Sequence, residues 1–244
     1  MNDLNINWKD FYKNVFSLVV PMALQNLINV GVTAADVVML GKVSEKVLSG
    51  ASLAGQIQYI MVLFLFGLTS GATVLTAQYW GKGDKTTIEK ILALGIRSAV
   101  IVTAIFTVAA FAIPASLMRI FTNDPQVIAE GVKYLRIVAC SYIIMGITNV
   151  YLYVMRSIER VIVATVVYLV SFLCNVIFNA IFIFGLFGFP ALGIRGAAIA
   201  TLIARIVELI LVCGYAKIYN KDVKFRVHYF LHQDKLLVKD FLVY

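Results

Sequence analysis

Charge is scarce in this sequence. Asp, Glu, Lys and Arg together make up 14% of the 244 residues, and only 13 positions are acidic. Soluble domains carry about 25% charged and 45–50% apolar residues, against 61% apolar residues and a mean hydropathy of +0.90 here. That shortage excludes an ordinary soluble fold and points to an integral membrane protein. Histidine is rarer still: His228 and His232 stand one helical turn apart, without a third ligand at metal spacing, so a metal centre has no support. Cys140, Cys174 and Cys213 all fall inside apolar stretches, which fits buried thiols rather than a disulfide framework. Paired carboxylates, a nucleophile with its base, and a histidine cluster are missing from those stretches, so enzymatic chemistry is not expected. The start lacks a basic segment leading into a short apolar core and a small-residue cleavage site, and a removable signal peptide is not expected either.

What is present is six long apolar runs, at 15–40, 53–79, 92–116, 132–155, 162–187 and 196–219. Each meets the requirement of about 20 apolar residues for a helical span. The expected fold is an all-α integral membrane protein: a cytoplasmic N-terminal segment at 1–14, a six-helix lobe at 15–219, and a linker at 220–244 that opens a seventh helix. Between the runs lie turn formers such as WGKGDK at 80–85 and FTNDPQ at 121–126, and short connections make sequential helices antiparallel neighbours. Of the Lys and Arg residues near the span ends, 14 fall on the side of the N-terminus and six on the other. This bias places both termini in the cytoplasm and the protein in the inner (plasma) membrane. It also accounts for the net charge of +8 without a nucleic-acid partner. Lys9-Asp10-Phe11 returns as Lys239-Asp240-Phe241, and six spans return the chain to its starting side. The tail therefore reads as the start of a second unit in parallel orientation.

Polar residues inside the runs carry the functional signal. In the first run Gln25, Asn29, Thr33 and Asp36 are spaced four, four and three apart, which holds them within an arc of about 80°. One face of this helix is polar, and Pro21 below it removes a backbone hydrogen bond, so a kink or mobile joint is expected there. Asp36 is the only acid within the first four runs. A charge near mid-bilayer costs roughly 2.5–3.5 kcal/mol on insertion scales, so Asp36 either faces a cavity or partner or sits hydrated near the external interface. The fifth run repeats the pattern with Tyr168, Ser171, Asn175 and Asn179 on one face. Its two asparagines can coordinate a cation, hydrogen-bond to Asp36, or tie helices together. The fourth run carries an aromatic and thioether stripe, Tyr142, Met145, Asn149 and Tyr153, suited to flat organic cations or to packing. In the sixth, Gly193, Gly196, Ala197, Ala200 and Ala204 permit close helix approach. Arg205 and Glu208 there read as a structural ion pair near the cytoplasmic end.

The order of these features resembles the multidrug and toxic compound extrusion (MATE) transporters. The resemblance lies in PMALQNLINVGVTAADVVMLGKVSEKVLSGASLAGQI over the first two runs, SGATVLTAQYWGKGDK at the first cytoplasmic turn, VYLYVMRSIERV after the fourth, and NVIFNAIFIFGLFGFPALGIRGAAIATLIAR. It covers nearly the whole chain. It implies one six-helix lobe, the amino-terminal half of a twelve-helix antiporter that exports cationic or amphipathic organic compounds in exchange for protons or sodium ions, with no other cofactor. Pro21 then looks like the bending proline of the first helix and Asp36 like its ion-coupling acid. Asn175 matches an asparagine of the amino-lobe site, and Asn179 stands where some relatives have aspartate. Membrane lipid, an organic cation, and a second lobe or parallel homodimer are the partners this implies. Two other readings remain: a half-transporter or interaction module that needs a second lobe, and a related lipid-linked oligosaccharide flippase. The flippase would need several basic residues in its cavity for a pyrophosphate.

Overall fold

A computed structural model describes residues 8–231, 237–238 and 240–241. His232, Lys235, Lys239 and residues 1–7 of the expected N-terminal segment lie outside the described residues. The described chain is helical, with no strand, and six of its helical segments are long and apolar enough to cross a membrane. They are α1 (Trp8–Gly41), α2 (Glu45–Gly81), α3 (Lys85–Ala112), the composite Pro125–Ser157, α7 (Val161–Phe184) and α8 (Ile194–Ile218). The composite consists of α5 (Pro125–Val138), a 3-10 turn at Ala139–Ser141, and α6 (Tyr142–Ser157). Two short helices, α4 (Pro114–Arg119) and α9 (Val227–Leu231), and a 3-10 turn at Leu186–Gly188 lie outside the spans.

Local chemistry fixes the helix starts. Ser44, Asp84 and Asp124 each accept a backbone N–H from the first turn that follows, capping α2, α3 and α5, and Pro125 occupies the first position of α5. Hydrogen bonding holds the half-buried Asp84 and Asp124 carboxyls below the usual carboxylate range: to the Thr87 side chain for Asp84, and to Lys46 for Asp124. α7 ends on Gly185 in the left-handed region (φ 73°), where its N–H caps the Ile181 carbonyl. α1 continues through Pro21 as one helix.

α7 is central to the site, packing against α8 and α1, while α2 packs on α5 and α3, and α3 on α6. Small residues set the α7 to α8 distance. At Gly196 an added Cβ would stand 2.5 Å from the backbone carbonyl of Phe182, and Ala197, Ala200 and Ala204 are buried above it. The core of the lobe is filled by Met61, Leu65, Ile88, Leu92, Leu135 and Met155, all buried. Cys140 and Cys213, expected to be buried, are exposed on the outside of the lobe, and Cys174 is half-buried. An apolar segment in a membrane protein has a lipid-facing side as well as a packed one, so apolar surroundings in sequence do not fix burial.

The chain after α8 does not leave the lobe directly. Asn220 is buried and donates to the Tyr151 hydroxyl (2.9 Å) and the Val223 carbonyl (2.8 Å). Asp222 pairs with Lys85 (2.8 Å) and Arg160 (3.1 Å), and Glu89 pairs with Arg226 (2.7 Å). Segment 220–226 is thus strapped across the terminal side of α3, α6 and α7.

Candidate functional site

The buried face of α7 is its polar stripe. Val161, Ala164, Tyr168, Ser171, Asn175, Asn179 and Ile183 recur every three or four residues and are all buried, whereas Ile162, Val166, Leu169, Leu173 and Ile177 face outward. The stripe meets α8 in antiparallel register. Ser171 donates to the Ala204 carbonyl (3.3 Å), and one turn on Asn175 donates to the Thr201 hydroxyl (3.4 Å). One turn further, Asn179 donates to the Asn175 amide oxygen (3.1 Å) and to Asp36 of α1 (2.5 Å).

Asp36 is half-buried and bonded to the fifth span, which answers the question left open by its position near the end of α1. Tyr134 of α5 lies beside the cluster, close to Thr201 and Asp36. The cluster is rich in acceptors: the Asp36 carboxylate and the amide oxygens of Asn175 and Asn179. The Asn179 Oδ1 is buried without a hydrogen-bond partner among the described residues. A donor or cation added here would meet oxygen atoms from α1 and α7, a suitable first set of ligands for a hard cation or acceptors for a proton.

The other residues of the two polar faces divide. Gln25 is 1% exposed and locked within the lobe rather than lining an open face. It donates to the Thr165 hydroxyl (2.8 Å) and the Val161 carbonyl (3.2 Å) of α7 and accepts from Arg156 Nη2 of α6 (2.5 Å). Thr165 also reaches the Pro21 carbonyl (3.5 Å), so the proline turn of α1 is tied to the start of α7. Asn29 and Thr33 are exposed, and Thr33 donates back to the Asn29 carbonyl (3.3 Å).

In α6 the expected lining stripe is corrected at its first two positions. Tyr142 (0% exposed) and Met145 (3%) are core residues with no surface to offer a ligand. Helical spacing placed them on one face, and that face is turned to the core at the start of α6. Asn149 and Tyr153, further along, remain half-buried. Asn149 accepts from the Tyr168 hydroxyl (3.4 Å), and the Tyr153 ring carries the Arg156 guanidinium 4.7 Å from its centroid.

The Arg205–Glu208 pair is also relocated. α8 begins at Ile194 and ends at Ile218, so the pair occupies the middle of the span and not its cytoplasmic end. Arg205 Nη1 donates to Glu208 Oε2 (2.7 Å) and the Thr148 hydroxyl of α6 donates to Glu208 Oε1 (2.5 Å), with Glu208 fully buried. Sequence reasoning missed Thr148, Arg156, Thr165 and Thr201 and the role of Tyr134. Threonines inside apolar runs carry little signal, and each of these acts only through a partner on another helix.

Comparison with known proteins gives the setting for this geometry. The family profile described as MatE matches residues 21–181. The probable multidrug resistance protein NorM of Thermotoga maritima is 28% identical over 200 residues, covering 80% of this chain and 42% of that protein. The uncharacterized transporter YisQ of Bacillus subtilis is 22% identical over 214 residues, covering 88% of this chain and 46% of the relative. Among solved structures, a MOP superfamily transporter from Pyrococcus furiosus superposes with a TM-score of 0.84 at 19% identity, covering 94% of this chain and 50% of the other. A crystal structure of MATE in the bent conformation gives a TM-score of 0.85, also at 19% identity, over 95% of this chain and 51% of that one. The chain thus spans about half the length of the relatives it matches. With its fold matching one half of those structures and its sequence matching the profile over residues 21–181, which reach into five of the six spans, the chain belongs to the MatE family.

Proposed function

We propose that this chain is the amino-terminal lobe of an ion-coupled antiporter that exports cationic or amphipathic organic compounds in exchange for protons or sodium ions. The observation that carries the reading is the Asp36–Asn179–Asn175–Thr201 cluster. Its carboxylate ties α1 to α7 through Asn179, Asn175 ties α7 to α8 through Thr201, and a buried amide oxygen, Asn179 Oδ1, has no donor among the described residues. A proton or sodium ion on Asp36 removes the charge that favours an organic cation. It also changes what holds α1 to α7, so ion binding and cargo release are linked through one group. The segment of α1 beyond Gln25 is the part free to respond, because Gln25 pins the helix at the turn after Pro21.

The basic bias of the terminal side supports an inner-membrane location with both termini cytoplasmic. The half-length match supports a second lobe, supplied by further chain or by a parallel second copy. The test is transport by the protein reconstituted in liposomes, with a proton or sodium gradient driving a fluorescent organic cation. Asp36→Asn should abolish gradient-driven flux and leave membrane insertion intact, and undiminished flux in that variant defeats the reading. Cross-linking that finds only monomers in liposomes that sustain flux rules out the second copy.

A further inference from the structure

We propose that the groove between α4 and α5 is a binding site for an anionic phospholipid, with Arg136 on the phosphate and Arg119 and Asn123 on a headgroup that carries no ammonium. The site lies on a surface separate from the Asp36 cluster and stands independently of the transport reading. Three spans precede α4, so the groove is on the side of the membrane opposite the N-terminus. Pro114 and Pro125 occupy the first positions of α4 and α5 and set the starts of both helices. The groove between them has a volume of about 530 Å3. Ala115, Ile128, Ala129 and Val132 make its walls, and Arg119 and Asn123 are its polar lining. Ile113 and Ile120 flank α4 and are exposed, as suits a short helix at the edge of an apolar layer. Val132 and Tyr134 are two positions, or about 200°, apart on α5, so the groove and the flank that meets Thr201 and Asp36 face opposite ways.

Two arginines mark what the groove receives. Arg119 and Arg136 are exposed, and neither guanidinium has an ion pair or hydrogen bond among the described residues; the Asn123 amide is likewise unengaged there. Arg136 follows Val132 by one turn of α5, and long helical side chains lean toward the N-terminus of their helix, which here is the direction of the groove. Arg136 is also 20 residues, or about 30 Å, from Arg156 near the other end of the same composite span. That is the thickness of a hydrocarbon core, so Arg136 stands at the apolar boundary, where lipid phosphates begin. A guanidinium at that level is costly unless an anion answers it, and a phosphate accepts two parallel N–H bonds from its fork. The groove beyond then receives the rest of the headgroup. The neighbouring acids are committed, Asp124 to Lys46 and to the cap of α5, and Glu130 to Lys133. A hydroxyl or a second phosphate can accept from Arg119 and Asn123, whereas an ammonium headgroup finds no free carboxylate there and is repelled by Arg119.

The experiment is native mass spectrometry of the full chain released from a neutral detergent, with phosphatidylglycerol and phosphatidylethanolamine of the same acyl chains as probes. The wild type should hold one phosphatidylglycerol about tenfold or more tightly than one phosphatidylethanolamine, the size expected for a charge-assisted hydrogen bond. Arg119→Gln with Arg136→Gln, both at exposed positions, should bring that ratio to about one. Ala129→Trp keeps both arginines, fills the groove from an exposed position, and should weaken phosphatidylglycerol binding by a similar factor. Arg97→Gln removes an exposed arginine from the terminal half of α3 and should leave the ratio unchanged. Equal binding of the two lipids by the wild type overturns the proposal, as does an unchanged ratio in either groove variant. An equal fall in Arg97→Gln overturns it too, because the preference is then diffuse attraction to basic surface. Inorganic phosphate at matched ionic strength should not displace the lipid, and displacement overturns the assignment to a lipid.

Discussion

Replacing Gln25 by leucine removes three hydrogen bonds from the point where the proline turn of α1 meets α6 and α7. Two are neutral, to the Thr165 hydroxyl (2.8 Å) and the Val161 carbonyl (3.2 Å), and one comes from the Arg156 guanidinium (2.5 Å). Side-chain hydrogen bonds within membranes average about 0.6 kcal/mol, and those to charged groups are worth roughly 1.5–3 kcal/mol. Leucine adds little in return, because lipid tails are as apolar as the lobe interior. Arg156 suffers further: its Nε is already buried without a partner among the described residues, and the Tyr153 ring lies 4.7 Å from the guanidinium. The expected loss is roughly 2–4 kcal/mol, measured as the shift in reversible unfolding of the purified protein in mixed micelles. Gln25→Glu keeps an acceptor for Arg156 and gives up the two donations, so it should recover most of the charged component. A Gln25→Leu variant within about 0.5 kcal/mol of wild type, the scatter of ordinary surface substitutions, would refute the idea that this clamp holds α1.

Two further expectations concern packing and the terminal strap. Gly196→Ala drives a Cβ into the Phe182 carbonyl and should cost about 1–3 kcal/mol in the same unfolding measurement; Gly67→Ala, with nothing within 4 Å, should be neutral or stabilising. Hydrogen bonding to Lys85, and then to Arg160, holds the Asp222 carboxyl below the usual carboxylate range. A lowered acid contributes stability that is fully present above its unfolded value and is lost as pH falls through its lower folded value. Asp222→Asn should therefore be less stable than wild type near neutral pH, by no more than about 1 kcal/mol and less at high salt. The gap should close under strong acid, and a gap independent of pH would contradict the strap.

The spans were legible because hydropathy and length are properties of single segments, and a bilayer demands both. The α7 stripe was legible for a similar reason: spacing of three and four predicts one face, and Asn175 and Asn179 are indeed buried together. Periodicity does not say what a face meets. It grouped Tyr142 and Met145 with Asn149 and Tyr153, although the first two point into the core and the last two lie half-buried beside Tyr168 and Arg156. It likewise grouped Gln25 with Asn29 and Thr33, although Gln25 is a clamp and its neighbours are exposed. Thr148, Thr165 and Thr201 acquire meaning only from Glu208, Gln25 and Asn175, 60, 140 and 26 residues away in sequence. The Arg205–Glu208 pair was misplaced although the sixth run, 196–219, nearly coincides with α8 (Ile194–Ile218) and already put the pair near its middle.

The same register that joins α7 to α8 explains how one acid on α1 can matter to the whole lobe. Ser171, Asn175 and Asn179 form successive rungs against α8, and the last rung is completed by Asp36 rather than by α8 itself. α1 is therefore tied to this pair of helices at two polar points, Gln25 and Asp36, eleven residues or about 16 Å apart. Between them it exposes Leu27, Asn29, Val30 and Thr33, while Ile28 is buried in the core and Leu40, beyond Asp36, packs with Ile183, so the two polar ties act together with apolar packing along α1. The lower tie is charge-assisted and buried; the upper one depends on a single ionisable side chain. In the proposed coupling, a change in the ion held by that one carboxylate is what would release or restore the upper tie, the least that a coupled exporter needs from its first span.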